Sequence, residues 1–197
     1  MVEGIINKIL VRASEIHASV NQFYGESSPY SVHLESVLNN ALKYGNDLLN
    51  FDEYKDVIAF GACFHDTIED ARLTYNDVYK IACEYFNKDH ALMAAEIVYA
   101  LTNEKGRNRD ERENDKYFEG VRNTPFAAFV KFCDRLANFE YAVTNKTSMA
   151  KKYYKEMPAF FDRLIKVDES DSCVTNIPKD LYDRIEELMK QFEENHA

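Results

Sequence analysis

A short segment near the middle of the sequence combines side chains that bind metal ions and move protons. The segment FHDTIED places His65 and Asp66 side by side, with Glu69 and Asp70 about one helical turn further on. Imidazole and carboxylate groups together ligate divalent cations, and carboxylates near such an ion can orient and deprotonate water. The segment follows the most apolar stretch of the chain, so its charges need compensation for burial. A bound cation would provide that compensation.

Two more polar residues are candidates to complete this metal site. His33 lies near a predicted helix start, and Asp134 interrupts the apolar run FVKFCDRLAN. Neighbouring helical residues point about 100° apart, so His65 and Asp66 can share an ion only at an opening between helices. Two histidines and two aspartates suit Mn²⁺ or Fe²⁺ at least as well as Zn²⁺, and they leave positions for water and substrate. Such open positions favour catalysis.

Helical spacing of apolar residues recurs along the chain, and glycine and proline fall at the boundaries, which predicts an all-helical fold. The first helix should bury a face formed by Ile6, Leu10, Ala13, Ile16 and Val20. Helix ends are predicted from left-handed Gly45 and Asn46, from capping residues Thr74 and Asp89, and from the pair Thr124 and Pro125. The predicted helices cover about 3–23, 30–45, 55–65, 74–86, 89–102, 124–143, 150–165 and 178–194.

Length, composition and charge narrow the class of protein. A chain of 197 residues with 46% hydrophobic residues fits one globular domain, 1–197. No apolar run is long enough to span a bilayer and the first residues do not resemble a signal peptide, so we expect a cytoplasmic protein with four reduced core cysteines. The net charge of −10 disfavours nucleic acid polymers as partners.

Three ordered motifs carry a resemblance to a known family. A His-Asp pair alone is weak evidence, because a lone histidine is more often simply hydrogen-bonded. Here PYSVH (29–33) is followed by FHDTIED (64–70) and VKFCDRLAN (130–138). These segments resemble the PYxxH, HDxxED and KLADRxxN motifs of HD-domain phosphohydrolases, in particular the hydrolase domain of RelA/SpoT proteins and their small stand-alone relatives. The resemblance implies a single HD-domain helical bundle with a motif core at about 29–138.

The resemblance also implies roles for the matching residues. Glu69 and Asp70 match the family's catalytic acidic pair, which orients water and moves protons during metal-assisted hydrolysis. Mn²⁺ is the family's usual ion, with Fe²⁺, Zn²⁺ or another divalent ion as alternatives. The residues that match its metal ligands are His33, His65, Asp66 and Asp134.

Several residues are candidates to contact substrate. Asn138 matches a residue that contacts the ribose, and Lys131 and Arg135 lie in the same motif, where Arg135 is equally a candidate for a structural ion pair. The family carries an arginine that stacks on guanine nine residues before the first metal-binding histidine, and this chain has Tyr24 there. A tyrosine ring can stack on a purine but supplies no cation, so guanine selectivity should be relaxed or lost. Tyr30 is a further candidate to line the base pocket.

A basic segment is the other candidate for substrate binding. NEKGRNRDEREN (103–114) has no apolar residue and concentrates positive charge in an acidic chain. Phosphate groups of a nucleotide need local cations, and the candidates are Lys105, Arg107 and Arg109. The alternative is a solvated run of charges that pair with neighbouring acidic residues.

The sequence as a whole predicts a metal-dependent phosphohydrolase with a small-molecule nucleotide substrate. The leading hypothesis is an activity like that of guanosine 3′,5′-bis(diphosphate) 3′-pyrophosphohydrolase. One alternative is an HD-family nucleotidase or phosphatase that acts on another nucleotide or on a phosphorylated dinucleotide. The other is a nucleotide-binding module without catalytic activity.

Overall fold

The computed structural model describes residues 2–165 and 177–195, and most of these lie in helices. The all-helical prediction is confirmed, with a small antiparallel ribbon of two two-residue strands as the exception. In chain order the elements are α1 (Val2–Ser19), β1 (Phe23–Tyr24), β2 (Ser28–Pro29), α2 (Ser31–Tyr44), a 3₁₀ turn (Gly45–Asp47), α3 (Phe51–Phe64), α4 (Tyr75–Ala82), α5 (Lys88–Leu101), α6 (Arg109–Arg112), α7 (Asp115–Asn123), α8 (Ala127–Thr144), α9 (Met149–Leu164) and α10 (Lys179–Glu194).

Helices α2, α3 and α8 form the centre of the bundle. Helix α2 packs against α3 and α8, α1 lies against α2 and α3, and α5 covers α3 from another side. Helix α3 approaches α5 closely at Gly61, where an added Cβ would lie 2.6 Å from Cγ2 of Ile97. Helices α9 and α10 pack against α8. The helices that contain the three motifs therefore meet in the interior.

Helix α1 is shorter than predicted, and a different set of its residues faces the core. It ends at Ser19 rather than near residue 23, because the chain turns into the β-ribbon. Its fully buried positions are Ile9, Ala13 and His17, whereas Leu10 and Ile16 are only half-buried. The spacing of four residues between Ile9, Ala13 and His17 defines the buried face.

Helix α2 ends at Tyr44, as predicted, but the predicted left-handed residues and the Thr124 cap were wrong. Gly45 has a right-handed φ of −74°, and Asn46 is not among the residues with positive φ. Instead the chain continues through the 3₁₀ turn, and Asn50 with a φ of 59° precedes α3. Thr124 does not cap α8. It follows the end of α7, where its hydroxyl donates to the carbonyl of Gly120.

Two other predicted caps had different outcomes. Thr74 and Asp77 form the expected reciprocal capping box at the start of α4. Helix α5 is capped by the Asn87 side chain rather than by Asp89, which lies in its first turn. Both ends follow the rule that a short polar side chain accepts a bond from a free amide near the helix start.

The cysteine prediction was correct for two residues. Cys63 and Cys133 are buried free thiols, but Cys83 is exposed, because it follows the last residue of α4. Cys173 lies outside the described residues. Within the described ranges, no helix is both long enough and apolar enough to cross a membrane.

Candidate metal centre

The motif FHDTIED lies where the central helix α3 ends. Phe64 is the last residue of α3 and His65 follows as its cap, so the chain turns away directly after the apolar segment. His65 keeps helical backbone angles (φ −51°, ψ −35°), and the chain continues through turns over residues 65–70. His33 reaches this space from the first turn of α2, and Asp134 from the middle of α8. The predicted opening between helices is therefore present.

Two imidazoles and a carboxylate converge at this point. Nε2 of His33 lies 3.2 Å from Nε2 of His65, and both rings are buried. Oδ2 of Asp66 lies 2.9 Å from Nε2 of His65 and 3.8 Å from Nε2 of His33. Ligand atoms of these three residues all lie within 4.8 Å of one another, the single such group of His, Cys, Asp or Glu side chains in residues 2–165 and 177–195. This donor set could hold a divalent metal ion.

A backbone contact orients one of the imidazoles. Nδ1 of His65 lies 2.9 Å from the carbonyl oxygen of Ala62, one turn earlier in α3. A bond from Nδ1 to this carbonyl leaves the Nε2 lone pair directed at the cluster. Metal-binding histidines in proteins are commonly oriented in this way.

Asp134 lies beside the cluster and contacts both imidazoles. Its Oδ1 is 3.3 Å from Nε2 of His33 and 3.6 Å from Nε2 of His65. The same oxygen accepts a bond of 2.5 Å from the Asn138 amide, and Nζ of Lys131 lies 3.5 Å from Oδ2. The structure thus brings all four predicted ligands together, with Asp134 also held by two residues of its own helix.

The charges at the cluster are strongly coupled. Burial by itself would lower the pKa of His65, but Asp66 and Asp134 raise it well above the usual value. Burial disfavours ionised carboxylates at both aspartates, yet the pKa of Asp66 is lowered by His65 and that of Asp134 by Lys131 and the two histidines. The imidazole and the two carboxylates therefore stabilise each other's charged forms.

Tyr30 supports the cluster from the end of the β-ribbon. Its hydroxyl donates to Oδ2 of Asp66, and its ring is buried and stacks on His17 with centroids 4.4 Å apart. Tyr30, which was predicted to line the base pocket, thus contacts Asp66, a candidate metal ligand. Its hydroxyl fixes the orientation of the Asp66 carboxylate.

Replacing Tyr30 by phenylalanine should weaken metal retention. Loss of a partner that orients a ligand typically costs about 10- to 100-fold in metal affinity. The measurement is Mn²⁺ affinity by titration, with Tyr44→Phe at the other end of α2 as the control. Equal affinity in Tyr30→Phe and the wild-type chain would show that the hydroxyl does not support the site.

The acidic pair lies at the rim of the cluster, and each member has a partner that the sequence did not indicate. Glu69 accepts hydrogen bonds from the backbone N–H and the side-chain amide of Asn103, the latter at 3.1 Å. Asp70 accepts a bond of 3.2 Å from Nε2 of Gln22. Burial raises the pKa of Glu69, and burial together with the carboxylates of Asp66 and Glu69 raises that of Asp70 to about 6. The Asp70 carboxyl can therefore exchange a proton near neutral pH.

The candidate substrate contacts in α8 have different environments. Arg135 is buried, pairs with Glu156 at 3.3 Å and packs over the ring of Phe160, which matches the structural alternative. The Asn138 amide donates to Asp134, which contacts both imidazoles, and the Asn138 carbonyl accepts a bond of 3.1 Å from the Tyr24 hydroxyl.

The basic segment is solvent-facing. Arg107 is 91% exposed and pairs with Glu111 at 3.2 Å, as in the solvated-charge alternative. Lys105 is exposed and lines a cleft of about 540 Å³ together with Asn103 and Lys116. Arg109 begins the short helix α6, and its side chain lies outside the described part of the chain.

His17 is a buried polar residue that the helical pattern did not single out. Its ring is fully buried, and neither ring nitrogen has a hydrogen-bond partner among the described residues. Burial lowers its pKa from 6.5 to about 4, although Asp66 opposes the shift. The folded chain therefore keeps His17 neutral where the unfolded chain protonates it.

This depressed pKa predicts acid sensitivity. The contribution of neutral His17 to the free energy of unfolding is fully present above pH 6.5. It is lost progressively as the pH falls from 6.5 to about 4, and the total loss is about 3 kcal/mol. Replacing His17 by leucine should remove that share of the pH dependence. Urea unfolding at several pH values measures it, with His90→Leu in α5 as the control. The expectation would be contradicted if the unfolding free energy of His17→Leu fell between pH 7 and pH 4 by as much as that of the wild-type chain.

Comparison with known proteins identifies the architecture. No family model matches the sequence, and a search of curated proteins finds no match. A solved structure of a metazoan orthologue of SpoT, described as hydrolysing ppGpp and playing a role in starvation responses, superposes with a TM-score of 0.66. The superposition covers 95% of this chain and 94% of the other, at 16% sequence identity. This chain has the SpoT-orthologue fold. The resemblance seen in three motifs is confirmed at the level of the fold, and in this fold His33, His65 and Asp66 form a group that could hold a divalent metal ion.

Proposed function

We propose that this chain is a Mn²⁺-dependent phosphohydrolase of the HD type that removes the 3′-pyrophosphate from guanosine 3′,5′-bis(diphosphate). The observation that carries the proposal is the convergence of His33, His65 and Asp66, with an acidic pair at the rim of the same opening. The SpoT-like fold supports it, because the neighbour that shares this fold is described as a ppGpp hydrolase. Such a protein would act on a small molecule in the cytoplasm.

The donor chemistry fits a metal ion with oxygen and nitrogen ligands. The residues that would hold it are His33, His65, Asp66 and Asp134. When bound, a divalent ion lowers the pKa of water and polarises a phosphoryl oxygen. Two imidazoles with two carboxylates suit Mn²⁺ or Fe²⁺ as well as Zn²⁺.

The remaining roles belong to the chain's own residues. Asp70 accepts a proton from the attacking water, and Glu69, clamped by Asn103, orients that water. The water oxygen bonds to the phosphorus attached to the ribose 3′-oxygen, the P–O bond to the ribose breaks, and the 3′-oxygen takes up a proton. The products are GDP and pyrophosphate. Lys131, next to Asp134, balances negative charge, and Lys105 faces the adjoining cleft where outer phosphates can lie.

A second candidate keeps the metal chemistry and changes the substrate. Tyr24 favours it, because this residue stands in place of the family's guanine-stacking arginine and its hydroxyl donates to Asn138, the residue proposed to bind ribose. In this case the chain would release orthophosphate from another nucleotide or from a phosphorylated dinucleotide. The test is a product assay with Mn²⁺ that resolves pyrophosphate from orthophosphate. Pyrophosphate from guanosine tetraphosphate supports the first candidate, and orthophosphate from another substrate supports the second.

A further inference from the structure

Tyr24 packs beside the group formed by His33, His65 and Asp66. Its ring stacks on His33 with centroids 4.8 Å apart and an interplanar angle of 26°. Its hydroxyl donates to the side-chain carbonyl of Asn138 at 3.1 Å. The Tyr24 side chain therefore covers one face of the His33 ring and also donates a hydrogen bond to Asn138 in α8.

The contact with Asn138 completes a hydrogen-bonded chain. The Asn138 carbonyl accepts from Tyr24, while its amide N–H donates to Oδ1 of Asp134 at 2.5 Å. The Tyr24 hydroxyl lies at the Asn138 carbonyl, so an incoming sugar hydroxyl that takes this position displaces the Tyr24 hydroxyl from it. A typical hydrogen bond lost in this exchange changes an affinity by roughly two- to tenfold.

The backbone around Tyr24 fits closely against α8. Gly25 has a φ of +63°, and an added Cβ there would lie 2.1 Å from the hydroxyl oxygen of Tyr141. The rings of Tyr24 and Tyr141 are 4.3 Å apart. Tyr24 is thus held between α2 and α8. Tyr24 lies in the two-residue strand β1, which pairs with β2.

We propose that Tyr24 is a specificity-determining residue: it occupies the space that a sugar must enter to reach Asn138, and it thereby disfavours nucleosides relative to phosphate groups alone. The inference rests on the proposed function in taking Asn138 as the sugar contact. A nucleotide binds only after Tyr24 leaves Asn138 and swings from the His33 ring. Inorganic pyrophosphate, which has neither sugar nor base, binds without that movement.

The test compares affinities in the Mn²⁺-loaded full chain by calorimetry, with GDP and inorganic pyrophosphate as probes. We expect Tyr24→Phe to bind GDP about fivefold more tightly than the wild-type chain, and Tyr24→Ala at least roughly tenfold more tightly. Pyrophosphate affinity should stay the same in both variants. Phe23→Ala, the exposed neighbour on the same strand, is the matched control and should change neither affinity.

Each other outcome overturns the proposal. Weaker GDP binding by Tyr24→Ala would make the ring a stacking platform for the base, and unchanged or absent GDP binding in all variants would show that Tyr24 excludes nothing. Circular dichroism and Mn²⁺ content establish that the variants are folded and loaded. Hydrolysis is scored separately on guanosine tetraphosphate. If no variant hydrolyses it, the proposed function fails, while the GDP affinities still decide the role of Tyr24.

Discussion

Replacing Asp66 by alanine should abolish stoichiometric Mn²⁺ binding and lower turnover by roughly a thousandfold or more. Oδ2 of Asp66 lies 2.9 Å from Nε2 of His65, and the carboxylate also accepts the Tyr30 hydroxyl. The substitution removes a proposed metal ligand, and it also takes the Asp66 carboxylate away from the Tyr30 hydroxyl and the His65 imidazole. Loss of the metal also removes activation of water, which is the largest contribution expected from the ion.

Metal content by elemental analysis and turnover by product release measure this prediction. Asp89→Ala is the matched control, because Asp89 is an exposed aspartate in the first turn of α5. Full metal content together with unchanged turnover in Asp66→Ala would contradict the proposed site. Thermal unfolding with and without Mn²⁺ adds a second measure, since an ion that binds only the folded chain raises the melting temperature.

Replacing Asp70 by asparagine should lower turnover on the order of 10²- to 10⁴-fold while the metal stays bound. This range is typical for the loss of a general acid or base. Asparagine keeps the shape of the side chain and can still accept the bond from Gln22, but it cannot take up a proton. The raised pKa of Asp70, about 6, places its carboxyl close to neutral pH for proton exchange.

The combination of retained metal and lost turnover separates Asp70 from the ligands. Steady-state kinetics with metal analysis of the same sample measure both quantities, and Asp89→Asn controls for the loss of one negative charge. A fall in metal content equal to the fall in turnover would assign Asp70 to metal binding. Wild-type turnover in Asp70→Asn would remove it from the mechanism.

The sequence predicted the metal cluster better than the residues that surround it. His65 and Asp66 are adjacent, and His33 and Asp134 are polar groups at positions predicted to face the core, so pattern and residue type were sufficient. Gln22 and Asn103 contact the acidic pair across 48 and 34 residues of sequence, and no local signal links polar amides to partners so distant. His17 could have been found, because it continues the four-residue spacing of Ile9 and Ala13.

Helix ends were predicted with mixed success for a physical reason. The capping box of Thr74 and Asp77 is purely local and formed as expected. Thr124 has the same kind of side chain, but it bonds back to Gly120 in α7, and Phe126 enters α8 with a φ of 64°. Packing of α8 in the bundle decides that boundary. The position of Tyr24 over His33 likewise depends on the β-ribbon, which alternation over two residues cannot indicate.

A product assay tests the central claim most directly. The Mn²⁺-loaded chain is incubated with guanosine tetraphosphate and, separately, with a panel of nucleotides and phosphorylated dinucleotides, and pyrophosphate is resolved from orthophosphate. The proposed function predicts GDP and pyrophosphate from guanosine tetraphosphate, with none released by Asp66→Ala. Bound metal and bound nucleotide without release of either product from any substrate over hours would contradict it, and would leave the chain as a nucleotide-binding module.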